Sequence, residues 1–171
     1  WDVMFGSGKL NEGGDYTDNS PRSFFSVRDE GNSSLTVPAS DLVEIQYEAT
    51  TLANGRIGRD WDTPDFSNRR GWRMNFTDGE RVLSNSTLPP DTGVVLFATT
   101  QPSGDVCAPG NNGFVMAVNR CTGASGSLVV GTTETGGVAI NSTGVLKLSP
   151  TYVDENGDPT VVCNQPECRG L

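Results

Sequence analysis

Two stretches of this chain, about ninety residues apart, carry the same order of signals, and that order restricts the fold more than any single motif. Val3-Met4-Phe5 is followed by a long polar connection rich in Gly, Asn and Asp and then by Phe24-Phe25-Ser26-Val27; Val95-Leu96-Phe97 is followed by a similar connection and then by Val115-Met116-Ala117-Val118. Phe5 and Phe97 stand 92 residues apart, and Val27 and Val118 stand 91 apart. Each apolar run is too short for a stable helix and is bounded by turn-forming residues, so both copies read as paired β-strands joined by an exposed loop. A period near 90 equals about two units of the roughly 40 to 50 residues expected for a four-stranded propeller blade. Two hairpins of a β-sandwich satisfy the same pattern.

The rest of the chain agrees with an all-β reading. Further strands are expected at residues 42–47, 71–76, 81–83, 94–99, 114–119, 127–130, 137–140, 144–148 and 161–163, with turns at Asn54-Gly55, Asp78-Gly79, Pro89-Pro90-Asp91 and Asn156-Gly157. Helix is expected only as a short turn near Asp41 ahead of a strand, and residues 50–68 read as a polar, irregular excursion. The expected architecture is all-β: antiparallel sheets, either partial β-propeller-like or a β-sandwich, with long loops and little helix, in one module over residues 1–171. At 171 residues the chain suffices for one core or a few blades, not for a closed ring of six or seven.

Lys and Arg number 12 against 21 Asp and Glu, a net charge of −9 that disfavours a phosphate backbone as partner, so nucleic-acid binding is not expected. No apolar run approaches the roughly 20 residues of a membrane-spanning helix, and membrane insertion is not expected. The chain opens on Trp1 without an initiator methionine and reads as a mature or cut product. Four cysteines and no histidine favour disulfides over zinc; Cys107–Cys121 with Cys163–Cys168 is the preferred pairing, the other two staying open. Disulfides point outside the reducing cytoplasm, and four glycosylation-type sequons at Asn32, Asn75, Asn85 and Asn141 fit an exported chain.

For chemistry the inventory is thin. Asp154, Asn156 and Asp158 in DENGDP stand at alternate positions of a turn, where oxygen ligands converge on a hard cation, and they are the calcium candidates. Glu12, Asp15 and Asp18 form a second oxygen-rich loop that reads as a solvated one. Asp60 and Asp62 beside Trp61 are the only carboxylates suggestive of sugar chemistry, and Trp61 with Trp72 are the candidates for a carbohydrate or peptide platform. No enzyme is expected.

Taken together, FGSGK at Phe5 to Lys9, SFFSVRDEG, RGWRMNFTDGERV and VVLFATTQPSGDVCAPGNNGFVMAVNRCTG resemble, in order and spacing over about residues 4–123, the C-terminal β-propeller of PilY-type type IV pilus tip proteins. Residues 124–171 diverge from that pattern. The resemblance implies a modified quinoprotein-like propeller and an extracellular, structural and adhesive role at the pilus or cell surface after export through the periplasm. It also implies partners among pilin or minor pilin subunits, or copies of the chain in a filament, and attachment to host or abiotic surfaces. The calcium loop of that family ends in an acid where this chain has Val162. A few blades cut from a ring expose strand edges, so the chain is expected to be a fragment of a larger protein or to pair its edges by strand addition. The rivals are a secreted carbohydrate-binding module or glycosidase fragment, marked by Asp60, Trp61, Asp62 and Trp72 in one cleft, and a quinoprotein dehydrogenase, disfavoured by the small number of blades.

Overall fold

A computed structural model describes residues 2–31, 36–52, 55–65, 69–90, 92–105, 112–126, 128–130 and 133–141. Eleven strands are described: β1 (Asp2–Gly6), β2 (Arg22–Arg28), β3 (Val43–Ile45), β4 (Glu48–Thr51), β5 (Ile57–Asp60), β6 (Gly71–Phe76), β7 (Val94–Ala98), β8 (Asn112–Asn119), β9 (Leu128–Val130), β10 (Thr133–Thr135) and β11 (Gly137–Asn141). Helix is confined to two single 3₁₀ turns, Gly13–Tyr16 and Ala39–Asp41. The second is the expected turn at Asp41, and it leads into a strand.

One sheet has the order β1-β2-β6-β3, antiparallel except for the parallel pair β3 and β6; the other is antiparallel with the order β4-β5-β11-β8-β7, and β9 and β10 form a separate hairpin. The two large sheets share one core. Phe24 of β2 stacks on Phe97 of β7 with ring centroids 4.0 Å apart, and Trp72, Met74, Phe76, Met116 and Val118 close around that pair. This is the sandwich-like form of the expected all-β fold, with no closed barrel among the described residues.

Alternation explains which residues enter. Along β6 the buried side chains are Trp72, Met74 and Phe76, while Arg73 and Asn75 between them face outward, the period of two that a half-buried strand demands. Glycine is required where that strand begins: Gly71 has φ +140°, and a β-carbon there would lie 2.0 Å from the Ser26 carbonyl oxygen. The expected turn after β6 has Asp78 at φ 54° and Gly79 at φ 70°, both left-handed. Two expectations change. Glu48–Thr51 and Ile57–Asp60 pair antiparallel as β4 and β5 within the first part of the expected 50–68 excursion, and the expected strand at residues 81–83 is reduced to a single bridge between Arg81 and Thr100. The expected strands at residues 144–148 and 161–163 lie outside the described residues.

The repeat is present residue for residue. In β1–β2, Val3 opposes Val27 and Phe5 opposes Phe25; in β7–β8, Val95 opposes Val118 and Phe97 opposes Met116, the same register with equivalent partners. The equivalence extends past the strands. The Ser7 hydroxyl accepts the Ser23 N–H at 2.8 Å and the Thr99 hydroxyl accepts the Phe114 N–H at 2.8 Å, while the Ser7 and Thr99 backbone N–H groups donate to Ser23 and Phe114 carbonyls, each at 2.8 Å. Each copy also pairs antiparallel with a third strand, β6 or β11, after which the sheets differ.

The copies do not, however, face the core with the same side. Met4, Phe24 and Ser26 turn inward from the first, whereas Val95, Phe97, Met116 and Val118, the counterparts of Val3, Phe5, Phe25 and Val27, turn inward from the second. The inner face of one sheet therefore meets what is, in repeat terms, the opposite face of the other.

Candidate functional site

The consequence is an uncovered apolar surface on β1 and β2. Val3 and Phe5 are 51% and 48% exposed, and Phe5 stacks on Phe25 at 5.1 Å on the outside of the sheet. In the second copy the counterparts Val95 and Phe97 are 2% and 0% exposed. Alongside β1 lies a groove of about 980 Å³, lined by Met4, Gly6, Leu10 and Tyr16 together with Leu83 and Asn85; Val82 packs directly against Gly6, where a β-carbon would lie 2.4 Å from its own.

The floor of this region is held by Arg81, which is fully buried. Its guanidinium donates to the Gly79 carbonyl at 2.7 Å and to the Lys9 and Asp18 carbonyls, each at 2.6 Å, tying the turn after β6 to the loop between β1 and β2. That loop is organised around Asp15, whose carboxylate accepts the Asn11 and Glu12 backbone N–H groups at 2.9 and 3.0 Å; these two bonds hold its carboxyl below the usual aspartate range. Lys9 stands 3.6 Å from the same carboxylate and 2.9 Å from Glu12. Asp18 accepts the side-chain and backbone donors of Ser20, which lower its carboxyl too, and it pairs with Arg22. The Glu12, Asp15 and Asp18 carboxylates are thus engaged with the chain itself.

A second groove, about 590 Å³, is lined by Glu44, Glu48, Asp60, Trp61 and Asp62. It brings together three of the four residues singled out for carbohydrate chemistry; Trp72 does not line it. Asp60 accepts the Ser125 hydroxyl at 2.9 Å and the Gly136 N–H at 3.3 Å, so its carboxylate braces the sheet. Trp61 is 9% exposed with its indole N–H donating to the Gly123 carbonyl at 2.9 Å, and Trp72 is 1% exposed in the core, its N–H without a hydrogen-bond partner among the described residues. A ligand stacking on either ring has to displace core packing first.

Of the other expected site residues, Cys121 is buried and disulfide-bonded, at a turn where Asn119 accepts its N–H at 3.0 Å. Cys107, Cys163, Cys168, Asn32 and the calcium candidates Asp154, Asn156 and Asp158 lie outside the described residues. Asn85 is exposed on the groove wall, Asn75 lies on β6 where it accepts the Ser23 hydroxyl at 2.7 Å, and Asn141 ends β11. No group of three or more potential metal-ligating side chains occurs among the described residues.

Sequence reasoning missed Arg59. Its guanidinium lies 4.3 Å from the Tyr47 ring centroid and 3.5 Å from that of Phe114, and it makes two bonds to Glu80. A lone arginine in a polar stretch carries no periodic signal, although Glu80 stood inside a recognised motif.

The chain is 27% identical over 130 residues to a type IV pilus biogenesis factor PilY1 homolog from Xylella fastidiosa strain Temecula1, an alignment covering 71% of this chain. It spans about a tenth of that protein, 10% of its length. No protein-family model matches the chain. No solved structure matches it.

Proposed function

We propose that this chain is a structural, non-catalytic module of an extracellular protein associated with type IV pili, acting in pilus assembly and surface attachment. The observation that carries this reading is its similarity to the PilY1 homolog, a protein named for type IV pilus biogenesis. The site supports it in kind: an exposed apolar sheet face and a groove beside a strand are features suited to polypeptide contacts. Pilin or minor pilin subunits are the partners this reading names.

The test is made on cells of the source organism. Immunogold labelling with an antibody to residues 1–141 is expected on pili or at the cell surface, and deletion of the gene is expected to reduce piliation or twitching motility. Label confined to the cell interior, with unchanged pili, overturns the reading.

The groove lined by Glu44, Asp60, Trp61 and Asp62 favours one second reading, a secreted carbohydrate-binding module. Saturable binding on a glycan array that is lost in Asp62→Ala supports it; an array with no binding removes it.

A further inference from the structure

We propose that the outer edge of β1 is an acceptor site for an extended segment of a partner polypeptide, which pairs with the backbone of Met4 and Gly6. This deepens the assembly role proposed above and rests on that reading for the partner's source. Its test uses purified protein and a peptide, and so is independent of where the protein sits on the cell.

The direction of the free groups follows from the ladder. In an antiparallel pair, residues alternate between exchanging both hydrogen bonds with the partner strand and directing both groups away from it. Ser7 donates to Ser23, so Phe5 and Val3, two and four residues back, also bond to β2; Met4 and Gly6 direct N–H and C=O to the other side. β1 ends its sheet, and no described residue pairs with that side.

The second copy shows what such an edge takes. Leu96, the counterpart of Met4, exchanges two backbone bonds with Thr87, 2.7 and 2.8 Å long, and Thr100, the counterpart of Gly8, exchanges two with Arg81, 2.9 and 2.8 Å long. The segment from Arg81 to Leu88 thus lies antiparallel along the edge of β7. Beside β1 no described segment takes that place, and the 980 Å³ groove there is lined both by Met4 and Gly6 and by residues 82–86 of that same segment, with Val82 packed against Gly6.

The groove also states the chemistry of the occupant. A residue paired with Met4 places its side chain on the groove side, beside Leu10 and Tyr16, and its two neighbours come to lie next to Val3 and Phe5. The occupant is therefore an extended segment with a small or β-branched residue, as Thr87 is, opposite Met4 and apolar residues on either side.

The probe is a synthetic peptide of sequence RVLSNSTL, copied from Arg81 to Leu88, titrated into the purified chain with amide exchange and calorimetry as readouts. The expected result is saturable binding with slowed exchange at Met4 and Gly6. N-methylation of the peptide's threonine, whose counterpart N–H faces the edge, is expected to weaken binding by about tenfold or more, whereas N-methylation of the next leucine leaves it unchanged. Met4→Pro removes an outward N–H from an edge strand and is expected to abolish binding; the two peptides keep the test decisive if that variant folds poorly. Absent binding, or equal loss with both methylated peptides, overturns the proposal. Concentration-dependent dimerisation abolished by Met4→Pro overturns it in favour of a second copy, and Met4 and Gly6 already protected in the natural full-length protein overturn it in favour of that protein's own chain.

Discussion

Arg59 meets Glu80 through two parallel hydrogen bonds, Nη1 to Oε1 at 2.7 Å and Nη2 to Oε2 at 2.6 Å, with both residues at most 9% exposed. The guanidinium is also flanked by the Tyr47 and Phe114 rings, so the pair joins β5, the turn after β6 and β8. Burying two charges costs about as much as their attraction returns, but removing one leaves the other desolvated and alone. Glu80→Ala is expected to lose about 3 to 5 kcal/mol in urea unfolding, whereas Arg59→Met with Glu80→Leu together recover most of that loss. A single variant as mild as the double one would show that Arg59 finds water.

Arg81 gives a more local expectation. Its three carbonyl partners belong to the turn at Gly79 and to the loop between β1 and β2, so its removal leaves buried acceptors unsatisfied at about 1 to 3 kcal/mol each. Arg81→Ala is expected to raise amide exchange at residues 9–18 before it affects β8 and β11. Arg81→Lys restores only part, because an ammonium cannot span three diverging carbonyls as a planar guanidinium does. Uniform loss of protection across both sheets would instead make Arg81 a determinant of global stability.

These two arginines mark where the sequence stops being legible. The hairpin repeat is readable because V-x-F runs and turn signals lie close together along the chain, and they specify register locally. Which face of each hairpin is buried was not, since alternation is equally good in either direction and the choice depends on a covering sheet distant in sequence. The β4–β5 hairpin escaped detection because Glu48–Thr51 has no apolar alternation; its anchor is the Arg59 stack. Trp61 and Trp72 read as a platform from composition, but the core absorbs them. In the motif RGWRMNFTDGERV, Gly71, Gly79, Glu80 and Arg81 were visible as a pattern, while their partners, Ser26, Asp18, Arg59 and Lys9, were not.

The loop beside the groove responds to pH through Asp15. Its carboxylate form is favoured by the two backbone donors, so its value in the folded protein lies below that in the unfolded chain. The linked stability is therefore fully present above the ordinary aspartate value and is lost as pH falls through the lowered one. Asp15→Asn lacks that linkage. Thermal unfolding from neutral pH down to strongly acidic pH is expected to show a stability difference between wild type and Asp15→Asn that narrows as the pH drops; a constant difference would mean that Asp15 does not titrate with folding.

The two copies of the repeat permit a comparison in which chemistry and register are matched and only the covering layer differs. Phe97 is fully buried against Phe24 and Phe76, so Phe97→Ala is expected to cost about 3 to 5 kcal/mol through lost burial and the cavity left behind. Phe5, its counterpart, is 48% exposed and stacks on Phe25, so Phe5→Ala is expected to cost less than about 1 kcal/mol in the same measurement. A large loss at Phe5 in the isolated chain would show that this face is already covered in solution. A small loss there, turning large when the chain is measured inside a longer protein or an assembly, identifies the outer face of β1 and β2 as the place where the next layer sits. That layer would meet Val3 and Phe5 as the first sheet meets Val95 and Phe97, inner face against outer face. Such stacking does not close on itself with two sheets, and the fold can be extended from this side without altering its existing core.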